Sequence, residues 1–157
     1  MIKIAKKSDT AIVPERNKNS AGLDLFVNKL TRIEPHNGKE KDVMADKDGY
    51  ILRPDFVYKA YSGISVELPE KTFGLVKARS GVSVQHGLDV LAGVIDNDYR
   101  GEIITVFKIM SNMRIKVGDR ISQLIILPFV DAAVNQEKKE NLTKTDRGFK
   151  GFGSSGK

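Results

Sequence analysis

The sequence predicts an all-β fold, a jelly-roll-like β-barrel, and three observations carry that expectation. Short apolar runs recur at close spacing, each ended by Gly, Pro, Asn or Asp, which is the pattern of many short strands. Only one stretch, Ser80–His86, has helical character, and it is short. The 157 residues, 40% of them hydrophobic, suffice for one core and not for two.

Taken in order, Met1–Lys7 alternates like a short strand, and Ala21–Phe26 sets Asp24 between apolar neighbours as a strand edge would. Ile64, Val66 and Leu68 alternate with Ser65 and Glu67 and stop at Pro69. Phe73–Ala78, Ile103–Met110 and Ile115–Val117 are further strand-like runs, the last closed by Gly118-Asp119. Arg120–Leu127 is mostly apolar and ends at Pro128, as a buried strand does. Asn37–Asp55 is polar and charged, with an Asp48-Gly49 turn between Val43-Met44 and Tyr50-Ile51-Leu52. It reads as a surface hairpin or long loop, a polar insert at about 37–55 in a barrel domain spanning 1–134. Residues 135–157 read as a C-terminal arm whose glycine-rich end cannot hold a fixed structure unaided.

The formal net charge is +6, with basic residues spread along the chain rather than massed. A solvated surface or a small phosphorylated ligand accounts for that as well as nucleic acid does, and direct nucleic-acid binding is not expected. There is no cysteine, which excludes disulfides and thiolate metal sites. The two histidines, His36 and His86, are far apart in sequence, which argues against an imidazole zinc site. No apolar run reaches membrane-spanning length, so no membrane association is expected. The default is a cytoplasmic protein.

The densest chemistry lies in Gly93–Gly101, where Asp96, Asp98, Tyr99 and Arg100 are compressed between two glycines. With Val94 and Ile95 leading in and Ile103 and Ile104 leading out, this reads as a tight hairpin with a buried entering strand. Asp96 would then stand at the rim of the core, where a carboxylate can be aimed. Asp and Asn are also ordinary turn residues, and alone the stretch could be structural. Arg79-Ser80-Gly81, directly after a strand, offers a guanidinium, a hydroxyl and an unobstructed amide to phosphate oxygens. The tail adds Arg147, Phe152 and Gly153-Ser154-Ser155-Gly156, a charge, an aromatic face and a flexible run of donors. In Gly118–Leu124, Asp119 and Arg120 could pair with each other, and Gln123 is a polar residue in an apolar run that needs a partner.

These segments in this order resemble the homotrimeric dUTP pyrophosphatase (dUTPase) family: Ala21–Phe26, Arg79–Leu88, Gly93–Ile103, Gly118–Leu124 and Arg147–Gly156 look like its five motifs. The resemblance implies a homotrimer with exchanged C-terminal arms, each site drawing on all three subunits, and hydrolysis of dUTP to dUMP and pyrophosphate. It implies that Asp96 activates the water that attacks the α-phosphorus. Tyr99 would pack on the deoxyribose and exclude a 2′-hydroxyl. Main-chain groups along Ala92, Gly93, Val94 and Ile95 and at Ile104 would read uracil. Arg79, Ser80 and Gly81 would hold the phosphates; Arg147, Gly153 and Ser154 would bind the terminal one, with Phe152 stacked on the base. Mg2+ is the implied cofactor, ligated by the phosphates, with Asp24 meeting its waters and Gln123 a further polar contact behind them.

Four residues depart from the family pattern: Ala78 for Pro, Ser122 for Ala, Lys150 for Gly and Ser155 for Thr; none removes a group the mechanism needs. The 37–55 stretch is longer than is typical, as in phage-encoded relatives, whose location would be the host cytoplasm. It offers a surface for a protein partner. The nearest rival is a dCTP deaminase of the same superfamily, but Ile103-Ile104-Thr105-Val106 lacks the carboxylate that chemistry needs after the third motif. A regulatory binding protein acting through the insert is the second alternative.

Overall fold

Alternation of inward and outward side chains governs the longest strands. In Glu102–Lys108 the buried residues are Ile103, Thr105 and Phe107, while Glu102, Ile104 and Val106 face the other way and stay half-buried. Among residues 1–149, which the computed structural model describes, such runs build thirteen strands. They are β1 Lys3–Lys6, β2 Gly22–Phe26, β3 Lys29–Ile33, β4 Glu40–Asp42, β5 Ala45–Asp46, β6 Gly49–Leu52 and β7 Val57–Glu67, then β8 Thr72–Ala78, β9 Asp89–Ala92, β10 Val94–Ile95, β11 Glu102–Lys108, β12 Met113–Ile115 and β13 Arg120–Pro128. The helix α1, Ser80–His86, lies where the sequence predicts it and stops at Gly87, whose φ of 62° is left-handed.

The strands form three antiparallel sheets. One runs β4-β3-β7-β11-β9, with β1 also paired to β7; the second runs β10-β8-β13-β2; the third is β12-β6-β5. The core falls into two clusters. Leu30, Leu52, Tyr58 and Phe107 belong to one, and Leu25, Ile64, Ile103 and Leu124 to the other. The eleven-residue β7 serves both, through Tyr58 and Ala60 at one end and Ile64 and Val66 at the other. No helix among the described residues is long and apolar enough to cross a membrane.

One local expectation is corrected and another extended. The Gly93–Gly101 stretch is not a hairpin: β10 pairs with β8 (Val94 with Leu75, Ile95 with Gly74), whereas β11 pairs with β7 and β9. The turn at Asp96 is therefore a corner where the chain passes from one sheet to another. The entering strand is only half buried, since Ile95 is 9% exposed but Val94 is 65% exposed. The 37–55 stretch does contain the expected hairpin at Asp48-Gly49, between β5 and β6, but it is also tied into the sheets and the core. Its β4 extends the first sheet beside β3, its β5–β6 hairpin pairs with β12, and Leu52 is fully buried.

Candidate active site

Two cavities contain most of the predicted site residues. The first, about 300 Å3, is lined by Ala92, Gly93, Val94, Ile95, Asp96, Tyr99, Glu102 and Ile104. Its floor is backbone held by β8. Val76 N–H donates to Gly93 O at 2.7 Å, and a Cβ at Gly93 would stand 2.5 Å from Val76 O, so only glycine fits. Ile95 anchors the end of β10 in the core opposite Gly74, where a Cβ would come within 3.1 Å of Ile95 Cβ. Asp96 follows at once, and its exposed carboxylate has no hydrogen-bond or ion-pair partner among the described residues. Tyr99 N–H donates to Asp96 O at 3.1 Å, closing the turn, and the Tyr99 hydroxyl donates to Glu102 O at 3.1 Å. The phenol is thereby fixed at the turn, in the lining of the same cavity as Asp96, while Tyr99 stays 41% exposed.

The second cavity, about 220 Å3, is lined by Glu15, Asn17, Ser20, Gly22, Asp24, Arg79, Ser80 and Gln123. Asp24 bridges two guanidinium groups, 3.2 Å from Arg79 Nε and 3.1 Å from Arg120 Nη1. The Asp119–Arg120 pair is therefore not formed: the Asp119 carboxylate instead accepts the Lys116 N–H at 2.7 Å. Arg79 stands just before α1 with extended backbone, its Nη1 donating to Arg120 O at 3.2 Å, so Asp24 and Arg120 together set its direction. Gln123 meets its need for a partner by reaching Ala78 O at 3.5 Å, and its side chain occupies the space a Cβ on Gly22 would take. A Cβ at Gly81 would meet nothing within 4 Å, so this glycine answers no demand of the chain's own packing and leaves room for a ligand.

The structure thus brings together Asp96, Tyr99, Ile104 and the backbone from Ala92 to Ile95, and separately Asp24, Arg79, Ser80 and Gln123 with Gly81 alongside. No residue lines both cavities, and β10 and β2 are opposite edges of one sheet. Arg147 lies outside both linings, and Phe152, Gly153 and Ser154 lie outside the described residues. Sequence reasoning missed Glu102, whose Oε1 accepts the Gly63 N–H at 2.6 Å, and the polar Glu15, Asn17 and Ser20. The position of Glu102 directly after the Gly93–Gly101 segment was a usable signal; the loop before Gly22 gave none.

Among the described residues, no group of three or more His, Cys, Asp or Glu is placed to hold a metal ion. Asp24 and Gln123 offer a carboxylate and an amide to the second cavity.

The family model for dUTPase matches residues 41–156 of this chain. The deoxyuridine 5′-triphosphate nucleotidohydrolase of Swinepox virus is 39% identical over 158 residues, covering 99% of this chain and 96% of the viral protein. A point mutant of the dUTPase of Staphylococcus bacteriophage 80alpha, solved with dUpNHpp, superposes with a TM-score of 0.79 at 26% identity, covering 99% of this chain and 98% of that one. A point mutant of the dUTPase of phage phi11 of S. aureus, described as coordinating a structural Mg(II) ion, gives a TM-score of 0.69 at 23% identity, covering 88% and 97%. The chain belongs to the dUTPase family.

Proposed function

We propose that this chain hydrolyses dUTP to dUMP and pyrophosphate, with Asp96 as the base that activates water. The observation that carries this reading is the exposed Asp96 carboxylate beside Tyr99, at the mouth of a cavity floored by backbone from Ala92 to Ile95. Neutral water is a poor nucleophile, and a carboxylate within hydrogen-bond reach takes its proton as the new P–O bond forms. Attack on the α-phosphorus in line with the bridging oxygen breaks the P–O bond to the β-phosphate and expels pyrophosphate. Charge grows on the leaving phosphates, and Arg79, Ser80 and the Gly81 amide supply donors for it. Tyr99 packs on the deoxyribose, leaving no room for a 2′-hydroxyl. Main-chain groups from Ala92 to Ile95 and at Ile104 read uracil.

Asp24 and Gln123 would hold a magnesium ion through its waters, and the bound ion would withdraw charge from the triphosphate. Asp24 is already engaged by two arginines, which suits an outer contact better than direct ligation.

The separation of the two cavities supports a homotrimer in which neighbouring chains complete each site. Past β13 the chain leaves with Phe129, Val130 and Val134 exposed, an apolar run that needs a covering surface. A groove of about 510 Å3, lined in part by Ile2, Ile4, Leu23, Leu124 and Ile126, suits such a segment from a neighbouring chain. Beyond it, Arg147, Phe152, Gly153 and Ser154 would close over the nucleotide. The partner reading for 37–55 rests on the exposed Met44 and Ile51, and the cytoplasm is the proposed location.

Chromatography of dUTP incubated with the protein and Mg2+ tests the function. Release of dUMP and pyrophosphate is expected, with truncation after Asp146 cutting the rate severely while the barrel stays folded. Inertness toward dUTP, or formation of a deoxyuridine nucleotide from dCTP, overturns the assignment.

A further inference from the structure

The turn that carries Asp96 is held by a side chain that lines neither active-site cavity. Asn97 donates from Nδ2 to two backbone carbonyls, Pro69 O at 2.6 Å and Thr72 O at 3.0 Å. Pro69 lies in the connection from β7 to β8 and Thr72 is the first residue of β8, and the Pro69 carbonyl also takes the Thr72 hydroxyl at 2.7 Å. The amide orientation is dictated by chemistry: only its NH2 end has protons for two carbonyl oxygens, and the reverse would oppose acceptors to acceptors. On its other side the turn is closed by Arg100, whose Nη1 donates to Asn97 O at 2.7 Å and Tyr99 O at 3.1 Å.

Apart from these contacts, the peptide after Ile95 is held by the Tyr99 N–H bond to Asp96 O, which lies within the turn itself and ties it to no neighbouring strand. The β10 ladder is two residues long and ends at Ile95, and the Asp96 carboxylate has no partner of its own to hold it. Its aim therefore comes from the backbone, and the Asn97 clamp refers that backbone to β8, the strand that also supports Gly93. We infer that Asn97 is a positioning residue: its side-chain amide, bridging Pro69 O and Thr72 O, sets the direction of the Asp96 carboxylate for water activation. The inference rests on Asp96 being the base, as proposed above. Substrate binding depends on other groups, the backbone from Ala92 to Ile95 and the phosphate cavity, so loss of the clamp acts on turnover and not on affinity.

Steady-state kinetics with dUTP on the purified full chain, for Asn97→Ala and Asn97→Asp, tests this directly. Asn97→Asp keeps the shape but sets a carboxylate against two carbonyl oxygens, so it should fare no better than alanine. The expected result is kcat lowered about tenfold to a hundredfold, the penalty of a reacting group misplaced by about 1 Å, with KM within about threefold of the parent and an unchanged far-ultraviolet circular dichroism spectrum. If Asn97→Ala does not fold, Asn97→Ser, which keeps a shorter donor, takes its place with the same expected split. A folded variant with kcat within about twofold of the parent, or one whose KM rises in step with the loss of kcat, overturns the inference. Asp96→Asn is assayed alongside. If it is inert while Asn97→Ala is native, the clamp fails and the catalytic assignment stands. If it retains turnover, the assignment of Asp96 falls and the inference falls with it.

Discussion

The Tyr99 ring rests on Gly101: a Cβ at residue 101 would sit 2.8 Å from Tyr99 Cε2 and closer still to Cζ and the hydroxyl oxygen. With the hydroxyl also donating to Glu102 O, the phenol is packed on bare backbone at the cavity mouth. Gly101→Ala must push the ring tip outward, a cheap movement for an exposed side chain and a damaging one for a sugar platform. The expected outcome is a thermal midpoint close to the parent with weaker exclusion of UTP. The ratio of kcat/KM for dUTP over UTP checks this, and an unchanged ratio removes the ring from that role.

Asp96→Asn keeps the turn and the size of the side chain but removes its basicity. Loss of a general base costs about 10²–10⁴-fold in rate. Turnover should fall by that order while binding of dUpNHpp, followed by calorimetry, stays near the parent value. Near-native turnover would remove Asp96 from its assigned role.

What was legible in the sequence was local. Arg120–Leu127 ends at Pro128 because proline lacks the ladder donor, and Ser80–His86 is closed by a left-handed glycine. What was not legible depended on partners distant in sequence. The pattern of Gly93–Gly101 is consistent with a hairpin, and nothing local reveals that Ile95 pairs with Gly74 rather than with β11. Asp24 and Arg120 are 96 residues apart, so their contact could not be foreseen, and the nearer Asp119 looked the better partner. In 37–55 the hairpin at Asp48-Gly49 was legible from its turn residues, whereas the pairing of β6 with β12 and the burial of Leu52 depend on residues far along the chain.

If neighbouring subunits complete each site, two inactive variants should rescue one another. Asp96→Asn spoils only the first cavity and Arg79→Ala only the second. Mixed one to one, with subunits exchanged by gentle denaturation, they should recover about a quarter of parent activity, since each site draws its two halves independently. Both variants alone should be inert, and a mixture as inert as its components would place both halves in one chain.

Glu40 predicts an acid-sensitive tie between β4 and the strands β3 and β7 of its own sheet. Its carboxylate accepts from Lys59 Nζ at 2.6 Å, from Thr31 Oγ1 at 2.7 Å and from the Tyr61 hydroxyl. The Lys59 hydrogen bond first, then that of Tyr61, lowers its pKa from the ordinary 4.5 to about 2. An acid depressed on folding stabilises fully above its unfolded pKa and loses that contribution as pH falls through the folded one. The window is therefore about pH 4.5 down to about pH 2, and the contribution about 1–2 kcal/mol once partial solvent exposure is allowed for. Urea unfolding at about pH 6 and about pH 2.5 should show a smaller acid loss for Glu40→Gln than for the parent; equal losses would assign the acid sensitivity elsewhere.

Thr105 and Ser122 share a buried hydrogen bond of 2.7 Å that crosses from β11 to β13, joining two sheets through the core. Both hydroxyls are buried, Thr105 at 2% and Ser122 at 1% exposure, so the bond is a polar tie inside the core. Ser122→Ala strands the Thr105 hydroxyl without its partner, at a cost of about 1–3 kcal/mol. Replacing both, Thr105→Val with Ser122→Ala, removes donor and acceptor together and should restore most of that loss, because nothing polar is left buried unpaired. A double-mutant cycle by denaturant unfolding measures the coupling directly. Additive losses in the double variant would mean that the two hydroxyls stabilise the fold through other partners, and that the bond between the sheets contributes nothing of its own.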